Sequence, residues 1–215
     1  MKKTNYLSMI IDSLKKSPDV WIMSFILLAA NIHIFTGYFN YNLFWIFTPD
    51  DFKLHRIIFH PFVHISWYHL LLDAGAFFLL YTGLKEKRMG IKILYLVVCS
   101  AFSLAFAMHF SSMIENLGLC GLSGVAHGLM AISGLEMLED KETQMLGCVS
   151  LAAVIIKSVY ELITGNVLLE FLQLGMCGTP IAACHTGGVA GGIFIYFSIR
   201  FLSSINIFHA NQANA

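Results

Sequence analysis

Gly121-Leu122-Ser123-Gly124-Val125-Ala126-His127-Gly128 opens an apolar stretch that runs on to residue 138. Nothing in it is charged before Glu136, so the stretch reads as a helix inside a bilayer, with a serine and a histidine one turn apart near its start. Polar and ionisable groups at such depth are costly and mark functional sites when a partner can be named. A second stretch supplies that partner: Cys184-His185-Thr186-Gly187-Gly188 heads the last apolar segment in the same way.

The rest of the chain fits this setting. Of 215 residues, 57% are hydrophobic and 12% charged, and mean hydropathy is +0.72, which excludes an ordinary soluble domain. Six stretches approach the ~20 residues that cross a hydrocarbon core: 20–39, 64–84, 91–110, 121–138, 145–163 and 181–202. The expected fold is all-α, a polytopic bundle of six transmembrane helices filling residues 20–204, with an amphipathic lead at 1–19 and a short tail at 205–215. The first stretch is too long for a cleaved signal peptide, and no Ala-x-Ala site follows it.

Lys2, Lys3, Lys15 and Lys16 precede the first stretch, and Lys85, Lys87, Arg88 and Lys92 follow the second. Lys141 follows the fourth and Arg200 lies at the end of the sixth, whereas the opposite loops carry only Lys53 and Arg56. The positive-inside rule then puts both termini in the cytoplasm and Ser123 and His185 towards the outer face. The aromatic loop 40–59 is expected to rest in the outer interface, and 164–180, with Gly165, Gly175, Gly178 and Pro180, to be a movable segment. The net charge of zero says nothing about partners, and no nucleic-acid partner is expected.

A serine hydroxyl needs an adjacent base, most often histidine, to become a nucleophile. Small residues let membrane helices approach closely, and Gly124 with Gly128 repeats on one segment the spacing of Gly188 with Gly192 on the other. These glycines would bring His185 against Ser123; the competing reading is packing glycines beside a structural serine. His127 is a second candidate base, disfavoured because side chains four apart on a helix run parallel. Arg56, His60, His64, His69 and Asp73 lie upstream. His69 and the Ser123 N–H are candidate donors to an oxyanion. The same histidines could serve a metal, but no His-Glu-x-x-His pattern is present, and neither metal nor cofactor is expected. Lys157 and Glu161, four apart, read as a local pair, and Asn31 and His33 as interhelical hydrogen bonds. Cys120, Cys177 and Cys184 fall on the outer side, where a disulfide competes with ordinary buried thiols.

Together, Gly121-Leu122-Ser123-Gly124, His185-x2-Gly188-x3-Gly192 and Arg56-x3-His60-x3-His64-x4-His69 resemble the rhomboid intramembrane serine proteases. Within them, residues 121–128 look most like the rhombosortase branch of bacterial rhomboids, associated with secreted proteins that carry a C-terminal Gly-Gly sorting tail. The resemblance implies a Ser-His dyad of Ser123 and His185 with no aspartate completing a triad. It also implies an oxyanion site at His69 and the Ser123 N–H, with Gly121 alongside, and a ring-stacking role for His127. Asparagine is usual where this chain has Asp73, so Asp73 must be protonated, turned to His69, or outside the site. Leu54-His55-Arg56 replaces a common Trp-Arg, which touches loop anchoring.

The reading that follows is an enzyme of the bacterial inner membrane. It would cleave a transmembrane segment of a membrane-anchored protein near the outer face, the lipid bilayer being its other partner. The alternative is an inactive rhomboid-like protein that binds transmembrane segments without cutting them. A transporter, the third class, would show paired repeats, and none is present.

Overall fold

Helices in this chain are held together by glycine against backbone. The computed structural model describes residues 17–36, 46–168 and 177–213, with side chains to residue 205. Its helices in chain order are α1 Pro18–Ala30, α2 Ile32–Thr36, α3 Leu54–Phe59, α4 Trp67–Gly83, α5 Met89–Phe110, α6 Met113–Leu117, α7 Ser123–Leu138, α8 Gln144–Thr164 and α9 Ala183–Ala213. Among the described residues the only β pairing is an isolated bridge between Phe47 and Leu119. Residues 1–16 of the expected lead, 37–45 at the end of the first expected span and the start of the aromatic loop, and 169–176 in the 164–180 segment lie outside the described residues. The expected tail at 205–215 continues α9 as helix to Ala213.

α5, α8 and the 183–205 part of α9 are each long and apolar enough to cross a bilayer; Leu54–Phe62 with Trp67–Gly83, bent by 83°, makes a fourth when taken as one span. Two of the six expected spans are shorter in helical form: α1 has 13 residues and α7 has 16. α7 is short because its first turn begins at Ser123, below a loop folded over it. The outward faces are apolar: Leu79, Met145, Ile156, Ile163 and Phe201 are all more than two-thirds exposed. Belts of this kind suit lipid and not water, which makes the chain an integral membrane protein.

α7 lies at the centre, packed on α9, α8, α4 and α5. A Cβ placed on Gly188 would lie 1.8 Å from the Gly124 carbonyl oxygen, and one on Gly192 would lie 2.4 Å from that of Gly128. Gly128 meets Cys99 Sγ at 2.4 Å and Gly124 meets Ser103 Oγ at the same distance, so α5 closes on the same seam. Only glycine allows such approach. Below it, Phe77, Tyr81, Leu84, Leu122, Leu129 and Ile132 form a buried core between α4, α5 and α7.

The bend before α4 exposes backbone groups that a bilayer cannot solvate. Asn31, at the break between α1 and α2, satisfies them: its Nδ2 donates to the carbonyls of Leu27 (2.8 Å) and Phe62 (2.7 Å), and its Oδ1 accepts the His64 N–H at 2.7 Å. His33 Nε2 donates to the His64 carbonyl at 3.0 Å. At the opposite end, Asp19 accepts from Lys92 Nζ at 2.7 Å and from the Tyr81 hydroxyl at 2.9 Å, tying α1 to α5 and α4.

Candidate active site

The loop above α7 fixes where its first residue points. Gly121 adopts φ +99°, a conformation that L side chains rarely take. Its N–H donates to the His60 carbonyl at 3.0 Å, while His60 Nδ1 donates to Ile57 O at 2.9 Å. The Phe47–Leu119 bridge and the Arg56–Asp51 ion pair at 2.9 Å hold the 46–56 segment against the same turn. Side chains of His69 and Asp73 close on Gly121, where a Cβ would stand 2.8 Å from His69 Nε2 and 2.9 Å from Asp73 Oδ2. Any larger residue here would push these groups away. As the first residue of α7, Ser123 has an N–H without an intrahelical acceptor, at the positive end of the helix dipole.

Across the glycine seam, Ser123 Oγ lies 3.1 Å from His185 Nε2 and 3.8 Å from Cys184 Sγ. His185 is buried, and its other nitrogen, Nδ1, lies 2.7 Å from Glu161 Oε2 on α8. A carboxylate only accepts, so Nδ1 carries the proton and Nε2 offers its lone pair to the serine hydroxyl. Glu161 Oε1 in turn accepts from Lys157 Nζ at 2.5 Å and from the Leu168 N–H at 2.9 Å.

His127 stacks on His185 with ring centroids 4.0 Å apart and planes 10° from parallel. Its Nδ1 donates to the Ser123 carbonyl at 2.7 Å, and its Nε2 accepts from Lys157 Nζ at 2.8 Å. Neither ring nitrogen is directed at the serine hydroxyl. Of the two histidines, His185 is the one that presents a ring nitrogen to the Ser123 hydroxyl.

Asp73 Oδ2 lies 3.3 Å from Nε2 of both His64 and His69. Of the three dispositions open to Asp73, the structure has it turned to the histidines. These contacts are longer than the 2.7–2.9 Å of strong charge-assisted bonds. Among the described residues two donor sets are compact enough for a cation, His64 with His69 and Asp73, and His127 with Glu161 and His185, each within 4.8 Å. Nitrogens and oxygens of the second set are already engaged with one another and with Lys157.

A cavity of about 260 Å³ opens over Ser123, lined by His69, Asp73, Cys120, Cys177 and Cys184. Cys120, Cys177 and Cys184 therefore face one cavity, but as free thiols without a disulfide. Gly178 and Pro180, beyond the undescribed centre of the 164–180 segment, form part of its wall.

Glu161 is the member of this constellation that sequence reasoning missed. Its spacing from Lys157 offered a local explanation, and the Lys157–Glu161 pair does form. The remaining sequence signal was a carboxylate within the apolar stretch 145–163; that its side chain is 0% exposed comes only from the fold.

The Rhomboid domain family matches residues 51–201. Rhomboid protease GlpG of Serratia proteamaculans (strain 568) is 29% identical over 161 residues, 72% of this chain and 53% of the relative. Rhomboid protease GlpG of Yersinia enterocolitica (serotype O:8 / biotype 1B) is 28% identical over 159 residues, 71% of this chain and 52% of the relative. The chain spans about half the length of these relatives. Since the family match runs from the turn before α3 into α9, and takes in Ser123, Glu161 and His185, the chain belongs to the rhomboid family.

Proposed function

We propose that this chain is an intramembrane serine endopeptidase that cleaves a transmembrane segment of a membrane-anchored protein near the outer face. The observation that carries the reading is His185 Nε2 at 3.1 Å from Ser123 Oγ with Nδ1 already held. His185 takes the serine proton as Oγ attacks the scissile carbonyl carbon, and the carbonyl electron pair moves to oxygen. The proton then passes to the leaving amide nitrogen, the C–N bond breaks, and an ester to Ser123 remains. Water attacks the ester, His185 removes its proton and returns it to Oγ. The carboxylate product leaves and the serine is regenerated.

We assign the oxyanion donors to the Ser123 N–H and His69 Nε2, whose contact with Asp73 is long enough to yield to a developing charge. His127 is assigned the stacking role, and the glycine seam sets the register. The membrane topology that accompanies the reading is six spans in the bacterial inner membrane, both termini cytoplasmic. Residues 20–204 form the protease domain. Water reaches Ser123 through the cavity bordered by Cys177 and Pro180. The resemblance of residues 121–128 to the rhombosortase branch supports, as candidate substrates, secreted proteins with a C-terminal Gly-Gly sorting tail.

The test uses a reporter ending in Gly-Gly, an apolar span and a basic cluster, reconstituted with the chain in proteoliposomes. Cleavage near the span that is lost in Ser123→Ala supports the reading. An intact reporter beside a cleaved transmembrane substrate lacking Gly-Gly would remove the sorting-tail assignment. Intact reporters throughout, with folded protein, would favour binding without cleavage.

A further inference from the structure

The resemblance implies a dyad, but the geometry around His185 continues into a third group. We propose that Glu161 is a positioning residue of the active site, completing a Ser123–His185–Glu161 triad; this rests on the serine-protease reading above. Ser123 Oγ, His185 Nε2, His185 Nδ1 and Glu161 Oε2 form one line of contacts, 3.1 Å at the serine and 2.7 Å at the carboxylate. Three helices contribute one member each: α7 the serine, α9 the histidine, α8 the carboxylate.

A structural ion pair with Lys157 would require only one carboxylate oxygen. Here the two oxygens are divided: Oε1 takes Lys157 and the Leu168 N–H, while Oε2 is left for the imidazole. The division fixes the carboxylate plane, so that Oε2 is aimed at Nδ1 and not free to rotate. Two consequences follow for the reaction. Nδ1 stays protonated, leaving the lone pair of Nε2 facing Oγ. When His185 takes the serine proton, the positive charge it acquires lies against a buried negative one. Lys157 offsets the Glu161 charge in the resting site, so the carboxylate is not buried alone. Through His127 Nε2 the same ammonium also holds the ring that stacks on His185.

The reaction that reads this is covalent labelling of Ser123 by a fluorophosphonate probe in detergent, followed as rate against probe concentration. In it the serine displaces fluoride and its proton leaves through His185. Wild type, Glu161→Gln, Glu161→Asp and Ser123→Ala are compared, each with its melting midpoint. Glu161→Gln is expected to lower the maximal labelling rate a hundredfold or more, up to about 10⁴-fold, as for other carboxylates behind a catalytic histidine. The concentration giving half-maximal rate should stay within about threefold, because the carboxylate does not touch the probe. Glu161→Asp should recover part of the rate.

A separate measurement needs no variant at Glu161: the proton spectrum of the wild-type chain with labelled histidine should contain a strongly deshielded Nδ1–H of His185, absent in His185→Gln. Wild-type labelling at Ser123 with a folded Glu161→Gln of unchanged rate would overturn the triad and leave the serine-protease reading intact. Absence of the deshielded resonance would overturn it too. A folded wild type that does not label, or labels equally in Ser123→Ala, would remove the serine reading and the triad with it.

Discussion

Replacing Gly188 by alanine should separate the two reactive side chains without touching either. The added Cβ would stand 1.8 Å from the Gly124 carbonyl oxygen, about 1.2 Å inside the 3.0 Å that real Cβ contacts respect. The obstacle is backbone on α7, so no side chain can turn away, and α9 must move outward by roughly 1 Å. His185 sits one turn before Gly188 on the same face and travels with it. Its Nε2–Oγ distance would grow from 3.1 Å to about 4 Å, beyond hydrogen-bond reach. A misplacement of this size lowers rate by about 10²-fold, and overpacking destabilises by about 1–3 kcal/mol. Gly75→Ala serves as the control: nothing lies within 4 Å of its Cβ position in α4, and the change should be neutral or stabilising by about 0.5–1 kcal/mol. Fluorophosphonate labelling rate and thermal unfolding in detergent measure both effects. A Gly188→Ala protein with wild-type rate and midpoint would refute the seam as the device that sets the site.

Three other perturbations follow from the same structure. Asn31→Ala leaves the Phe62 carbonyl and His64 N–H without their partner and should cost about 2–4 kcal/mol, read as a lower melting midpoint; an unchanged midpoint would contradict the role given to Asn31 at the bend. Asp73→Asn removes charge beside the oxyanion position, and labelling should hold or rise; a drop beyond tenfold would mean that the carboxylate between His64 and His69 is required. In the loop between α4 and α5, hydrogen bonds from the Arg88 side chain hold Glu86 down from its ordinary 4.5 to about 2. Because the folded value is the lower one, this contribution to stability is present above pH ~4.5 and is lost as pH falls from there towards 2. The acid decline of the melting midpoint should be shallower in Glu86→Gln, and superimposable curves would remove the effect.

How far the residues announced this arrangement differs from one to the next. Ser123 and His185 were legible because each heads an apolar segment next to a small-residue repeat, and membrane packing leaves few uses for that pattern. Asn31 and His33 were legible as hydrogen-bonding groups, though not that their partners would be the backbone at Phe62 and His64. Hydropathy windows measured six apolar stretches, but they do not sense where backbone hydrogen bonding begins. α7 starts at Ser123 beneath the Gly121 loop, and the second stretch begins at an 83° bend between Leu54–Phe62 and α4. Glu161 was hidden by its own neighbour: a lysine four residues away on one helix explains a carboxylate locally, and the contact to His185 spans 24 residues. Asp73 was visible as a departure, and its orientation towards two histidines could come only from the fold.

The central claim is that Ser123 is a nucleophile activated by His185. Its most direct measurement is mass-spectrometric mapping of a fluorophosphonate adduct on the full chain in detergent. The account predicts one adduct, on Ser123, abolished in Ser123→Ala and in His185→Ala. A folded wild type without an adduct, or an adduct that persists when His185 is replaced, would contradict it.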